Sequence, residues 1–134
     1  MSVKPIYLSE VARNDLADAL LNYEQQFAEQ AIDGCLNALA KAYKQIGKFP
    51  KTGSPKAGND LNLPGLRSWP LSKYPYLLFY TENQDQIDAW RLLHQKRDIE
   101  KSLTRSGIQH WVSQKDMTQS LPSLNPTHKH SYNL

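Results

Sequence analysis

The sequence predicts an α+β domain of order β-α-α-β-β-β, an antiparallel sheet meander packed against an N-terminal helical hairpin. Two apolar stripes with three- and four-residue spacing run between Ala12 and Ile46, as in consecutive amphipathic helices. Three short segments of alternating side chains follow between Leu66 and Leu93. The connections between those segments are too short for a crossover, so the strands must run antiparallel. At 134 residues the chain has room for one domain. We expect that domain over residues 1–103 and a polar extension over residues 104–134, in which Ile108, Trp111 and Val112 offer one helical contact near 108–112.

Val3 to Leu8 reads as a short strand, because Val3, Pro5 and Tyr7 alternate with Lys4, Ile6 and Leu8. Pro5 has no N–H to donate, which points to a bulge or an unpaired side. Ser9 suits a helix N-cap, and Glu10 puts a carboxylate in the first turn, where the helix dipole favours it. Ala12, Leu16, Ala19, Leu20, Tyr23 and Phe27 form the apolar stripe of the first helix. Ile32, Cys35, Leu36, Leu39, Ala42, Tyr43 and Ile46 form that of the second, with Gly47 as an αL stop. The short linker between the stripes requires an antiparallel hairpin. Gly34 lowers helix propensity inside the second stripe, which fits a close helix–helix approach or simple tolerance.

Five of the eight prolines lie between Pro50 and Pro75, with Gly53, Gly58 and Gly65, so this stretch opens as an irregular loop. Strand character begins near Leu66, with Arg67, Trp69 and Leu71 on one face, and Pro70 marks an edge strand. Tyr76 to Thr81 is the next strand, with Tyr76, Leu78 and Tyr80 opposite Leu77, Phe79 and Thr81. A polar turn from Glu82 to Asp85 leads to the last strand, Ile87 to Leu93. Asp98 to Leu103 has the pattern of a short helix with Ile99 and Leu103 inward.

Several functional classes are excluded at once. Cys35 is the single cysteine, so no intramolecular disulfide or multi-cysteine zinc module can form, and its place on an apolar stripe makes it core packing. The run from Tyr74 to Tyr80 falls far short of the roughly 20 residues of a membrane-spanning helix. The start MSVKPIYLSE has no apolar leader, so a cytoplasmic protein with no membrane partner is expected. The net charge of +3 hides an asymmetry: residues 1–40 hold two basic and six acidic side chains, residues 41–101 eleven basic and six acidic. Such a basic half suits nucleic acid or an acidic protein partner, or is a solvated surface.

No Ser/His/Asp arrangement, phosphate-cradling glycine loop or metal-ligand spacing is present, so no cofactor and no metal is expected; His128 and His130 are an isolated His-x-His pair in the extension. The residues left to carry function are Arg67, Arg91, His94, Lys96 and Arg97. Unbroken alternation in the last strand puts Arg91 and Leu93 on one face and Trp90, Leu92 and His94 on the other. On that pattern Arg67 and Arg91 project from one face, a guanidinium fork for phosphates or for a partner's carboxylates. The plain alternative for each arginine is a surface ion pair, Arg97 with Asp98 or Glu100 and Arg91 with Asp88. His94, with an unperturbed pKa of roughly 6.5, suits either general acid chemistry in a nuclease or a hydrogen-bonded structural role.

Leu66-Arg67-Ser68 at a strand start, Tyr74, Tyr76 and Tyr80 around the next strand, and Arg91-Leu92-Leu93-His94-Gln95-Lys96-Arg97-Asp98 closing the last together resemble the RelE/ParE toxins of bacterial type II toxin–antitoxin systems. Phe49-Pro50-Lys51-Thr52-Gly53 is similar to the family's proline-glycine element after the helical hairpin, and Ala12 to Leu16 fits its first helix. The resemblance spans about residues 3–103 and implies the same element order.

It also implies one of two activities. RelE-like members cleave mRNA on the ribosome, using basic residues with a histidine or tyrosine near the C-terminus. ParE-like members share the fold and poison DNA gyrase, with no nuclease residues assigned. The R-x-L-H-x-x-R-D ending and the tyrosine-rich strand look more like ParE; Lys and Arg are sparse on the first helix, and no tyrosine follows His94 before Leu103. The resemblance therefore implies a ParE-like toxin that inhibits gyrase by protein binding, with Arg67, Arg91, His94, Lys96 and Arg97 as target-binding residues and no catalytic group. A cognate antitoxin would neutralise it, an acidic segment folding onto the basic half. The alternatives are a RelE-like ribosome-dependent mRNA endonuclease, with Arg67, Arg91 and His94 catalytic, and a non-toxic antitoxin-binding scaffold.

Overall fold

The structure, a computed structural model, describes residues 3–99. Their order is β1 (Ile6–Leu8), α1 (Glu10–Gln25), α2 (Glu29–Lys48), a 3₁₀ turn (Pro50–Thr52), α3 (Lys56–Asp60), β2 (Arg67–Pro70), β3 (Tyr76–Glu82) and β4 (Ile87–His94). The α+β class and the β-α-α-β-β-β order hold, and α3 is an addition inside the stretch that reads as loop. The strands form one sheet in the order β1-β4-β3-β2. The pairs β2–β3 and β3–β4 are antiparallel, the expected meander. β1 joins in parallel at β4, with Ile6 opposite Ile87 and Leu8 opposite Ala89. No hairpin ties β1 to the meander, so the short-loop rule that makes the other pairs antiparallel does not act on it. Pro70 ends β2 at the sheet edge, where a missing N–H costs no ladder bond.

Side chains alternate across β3 and build two cores. Tyr76, Leu78 and Tyr80 face the hairpin and pack with Leu16, Ala19, Cys35, Leu39, Ala42 and Ile46. The opposite face is also covered: Leu66, Phe79, Trp90 and Leu93 form a smaller core under Ala57, Leu61, Leu63 and Ile99. α3 and the chain after it thus roof the face that the hairpin leaves. Cys35 is fully buried, and burial pushes its thiol up, which fits inert packing. Ile99 faces inward as the pattern of Asp98 to Leu103 requires; the rest of that segment and residues 104–134 lie outside the described residues. Among the described residues no helix is long and apolar enough to cross a membrane.

Three helix-level expectations change. α1 ends in a Schellman turn, in which the Ala28 N–H donates to the Tyr23 carbonyl at 2.9 Å and the Phe27 N–H to the Glu24 carbonyl at 3.0 Å. Phe27 is therefore not the last member of the apolar stripe; it has φ 55° and is 93% exposed. Stripe counting runs on past the point where the backbone has turned. Gly47 is not an αL stop either, since α2 continues to Lys48. A Cβ there would lie 2.6 Å from Val3 Cγ1 and 2.8 Å from the Lys4 carbonyl oxygen, so the glycine admits the chain leading into β1. Gly34 admits the Tyr74 hydroxyl rather than a close approach of α1.

Candidate functional site

β4 changes character at Trp90. Phe79 pairs with Arg91 and Tyr80 with Ala89, so Trp90 is the extra residue of a β-bulge. Ile87 and Ala89 face the hairpin, and beyond the bulge so does Leu92, whereas Trp90 joins Leu93 on the other face. The expected grouping of Trp90 with Leu92 is thereby corrected, because a bulge leaves no mark on period-two counting. Trp90 Nε1 donates to Thr81 Oγ1 at 2.9 Å and fixes the ring in its new place.

β1 stops at Leu8, and beyond that point α1 takes over as the neighbour of β4. The Ser9 hydroxyl accepts the Ala12 N–H at 3.0 Å, the cap expected from sequence, and donates to the Trp90 carbonyl at 2.9 Å. Asp15 accepts the Leu92 N–H at 3.0 Å and pairs with Arg91 through Nε at 2.7 Å and Nη2 at 3.1 Å. One carboxylate so replaces a strand partner and holds an arginine. The two side chains are 19% and 14% exposed, against 79% and 60% for Lys56–Asp60, so the Arg91 pair is much less screened by water.

Arg67 has a different task. It lies opposite Tyr80, and its Nη1 donates to the Gly53 carbonyl at 2.8 Å. The Tyr80 hydroxyl accepts the Gly53 N–H at 3.0 Å and donates to the Pro50 carbonyl at 2.7 Å. Burial pushes that hydroxyl up, more than the Gly53 amide lowers it, so it stays a donor. Arg67 and Tyr80 together tie the proline-glycine element to the sheet. The expected fork does not form: Arg67 shares its face with Tyr80, Arg91 lies opposite Phe79 and is held by α1, and Tyr80 and Phe79 face opposite sides.

His94 closes β4 opposite Tyr76, with the ring centroids 5.3 Å apart and edge-on. Its Nδ1 accepts the backbone N–H groups of Lys96 at 3.1 Å and Arg97 at 3.2 Å. Its own N–H donates to Asp98 Oδ2 at 3.1 Å, and its carbonyl accepts the Asp98 N–H at 3.1 Å. This is the reciprocal logic of a capping box, with an imidazole as the acceptor. Both bonds to Nδ1 use its lone pair, so the neutral ring carries its proton on Nε2. Burial, then the Arg97 guanidinium, lowers the His94 pKa, with Asp98 opposing and Lys96 adding to the fall. In this arrangement Nδ1 is engaged by two backbone amides, and the neutral ring has no spare lone pair for a base.

Lys96 and Arg97 stand exposed in the turn that His94 caps, and Arg97 Nη2 lies 3.4 Å from the Tyr76 hydroxyl. Arg97 helps to line a cleft of about 210 Å³ between α1 and β4, together with Asp15, Asp18, Tyr76, Arg91 and Asp98. Burial pushes the Tyr76 hydroxyl up despite the opposing pull of Arg97, so the cleft offers no phenolate base. Among the described residues no group of three His, Cys, Asp or Glu side chains is placed to hold a metal. Four of the five residues singled out from sequence, Arg91, His94, Lys96 and Arg97, meet at this end of β4, and Arg67 stays apart on the edge strand. Asp15 and Tyr76 were missed. The signal for Asp15 is an acid seated beside the stripe of Ala12, Leu16 and Ala19.

The fold has a counterpart among solved structures. It is similar to a chain of the chromosomal ParDE toxin–antitoxin system from P. aeruginosa, with TM-score 0.56 and 15% identity over 69% of this chain and 96% of that one. A comparison with curated protein sequences finds no significant match. The family model described as ParE toxin of type II toxin–antitoxin system, parDE, matches residues 6–99. This chain belongs to the ParE toxin family.

Proposed function

We propose that the protein is a ParE-like poison that acts in the cytoplasm, arrests growth by binding DNA gyrase, and is neutralised by a cognate antitoxin. The observation that carries this reading is the state of His94. A ribosome-dependent endonuclease would use such a group for proton transfer, a role that contributes about 10²–10⁴-fold in rate. Here its Nδ1 lone pair is occupied by the Lys96 and Arg97 amides, and burial favours the neutral ring. Contact with the target falls to Lys96 and Arg97, which the His94 turn presents to solvent. Arg91 supports that surface through Asp15, while Arg67 holds the proline-glycine element through Gly53. The basic half then suits an acidic antitoxin segment.

Induction of the parent without antitoxin should arrest growth and raise DNA-damage signals while translated mRNA stays intact. His94→Asn keeps an acceptor at the place of Nδ1 and should retain most of the toxicity. Lys96→Ala combined with Arg97→Ala should weaken inhibition of gyrase supercoiling by about tenfold, equivalent to roughly 1.4 kcal/mol of contact energy. Cleavage of mRNA by the parent, abolished in a folded and soluble His94→Asn protein, would move the assignment to a RelE-like endonuclease. A parent that arrests nothing would point to an antitoxin-binding scaffold.

A further inference from the structure

Phe27 breaks two rules at once. It occupies the C′ position of the Schellman turn that ends α1, with φ 55°, where glycine fits without steric cost. A non-glycine residue there is strained, and such strain persists where the surroundings hold the residue in place or where function uses it; burial of the side chain would be one compensation. Phe27 has none, because 93% of it faces water. A residue that costs the fold on both counts is explained by what it does outside the fold. Aromatic rings carry large contact area with little rotamer freedom to lose, which is why they dominate interface hot spots.

The surroundings narrow the partner. Residues 14–40 contain no Lys or Arg, and Glu24, Glu29 and Asp33 around the tip are exposed. An acidic collar around a projecting ring is repelled by an anionic lipid surface and by an acidic antitoxin segment, and complements an apolar socket with a basic rim. The site at His94 to Arg97 has the opposite sign, so the two surfaces suit chemically different contacts. We infer that the hairpin tip is a second docking site, with Phe27 inserting as an anchor into a basic-rimmed apolar socket on the protein this toxin poisons. The inference rests on the reading of the chain as a protein-binding poison.

The test uses the full chain carrying Phe27→Gly, which removes the ring and relaxes the backbone. Its Tm should rise by a few degrees, since glycine fits the positive φ. Growth arrest on induction should weaken at matched soluble expression. The concentration that half-inhibits supercoiling by purified gyrase should rise by about thirtyfold, the loss expected of an interface hot spot. Phe27→Trp should keep both activities. A Phe27→Gly protein as toxic as the parent overturns the inference, as does a fall in its Tm, which would show the ring packed in solution. Self-association of the parent that Phe27→Gly abolishes, or Phe27-dependent binding to phosphatidylglycerol vesicles, overturns it by supplying another occupant. A parent that arrests growth yet leaves gyrase uninhibited ends the gyrase reading alone, while loss of arrest in Phe27→Gly still supports the tip. A parent that arrests nothing overturns both.

Discussion

The two halves of β4 are built on different principles. From Ile87 to Ala89 the strand lies between β1 and β3, its side chains are buried, and its register is set by ladder bonds on both sides. From Trp90 to His94 it carries a bulge, β1 has gone, and single side chains do what a neighbouring strand did: Ser9 and Asp15 from α1 hold its edge, and His94 caps the turn that follows. A ladder spreads its load over many equivalent bonds. A carboxylate or an imidazole concentrates it, so one substitution can reshape the surface without touching the rest of the sheet. The cationic residues stand at the half that is tuned by side chains.

The largest effect that would sharpen this contrast is expected at Asp15. Asp15→Ala removes the acceptor of the Leu92 N–H and the carboxylate that pairs with the mostly dehydrated Arg91, a loss of about 2–3 kcal/mol. In a domain of this size that lowers Tm by roughly 10–20 °C in thermal unfolding. A change of under about 2 °C would mean that α1 does not substitute for a strand. His94 comes next. His94→Ala removes the cap acceptor and should cost about 1 kcal/mol, whereas His94→Asn, which keeps an acceptor at the same place, should stay within about 0.5 kcal/mol of the parent in chemical denaturation.

The smallest effect is one of pH. The folded state lowers the His94 pKa below its ordinary 6.5, so the unfolded chain takes up the proton first as pH falls. The stabilisation due to the neutral cap is complete above the unfolded value and is lost as pH drops through the lower folded one. The parent should therefore lose more Tm between about pH 7 and pH 5 than His94→Asn does. Equal slopes for the two proteins would contradict the bonding assigned to Nδ1.

The fold was legible where one periodicity ran unbroken. The helical stripes, the faces of β2 and β3, and the edge position of Pro70 all follow from local pattern and local sterics. What escaped is non-local or breaks a period. The Trp90 bulge adds one residue that no count reveals, and it takes Arg91 off the face that Arg67 shares with Tyr80. The task of Asp15 depends on where α1 lies over β4, which a stripe on α1 does not encode. Gly47 looked like a terminator because its sequence neighbours say so, whereas its reason is Val3 and Lys4, far away in the chain. The cluster of His94, Lys96 and Arg97 was visible because it is contiguous; what each member bonds was not.

The parallel pairing of Ile6 with Ile87 gives the fold a timetable. During synthesis the helical hairpin and the β2–β3 pair, made of local contacts, can form as they emerge, but β1 waits for β4, the strand that joins it to β3. The residues that complete the sheet are followed at once by those of the cationic turn. A message cut short, or a nascent chain clipped before Ile87, therefore yields neither the four-stranded sheet nor the cationic turn. On the proposed activity, a chain clipped before Ile87 carries the hairpin tip but lacks the cationic turn on which target contact depends.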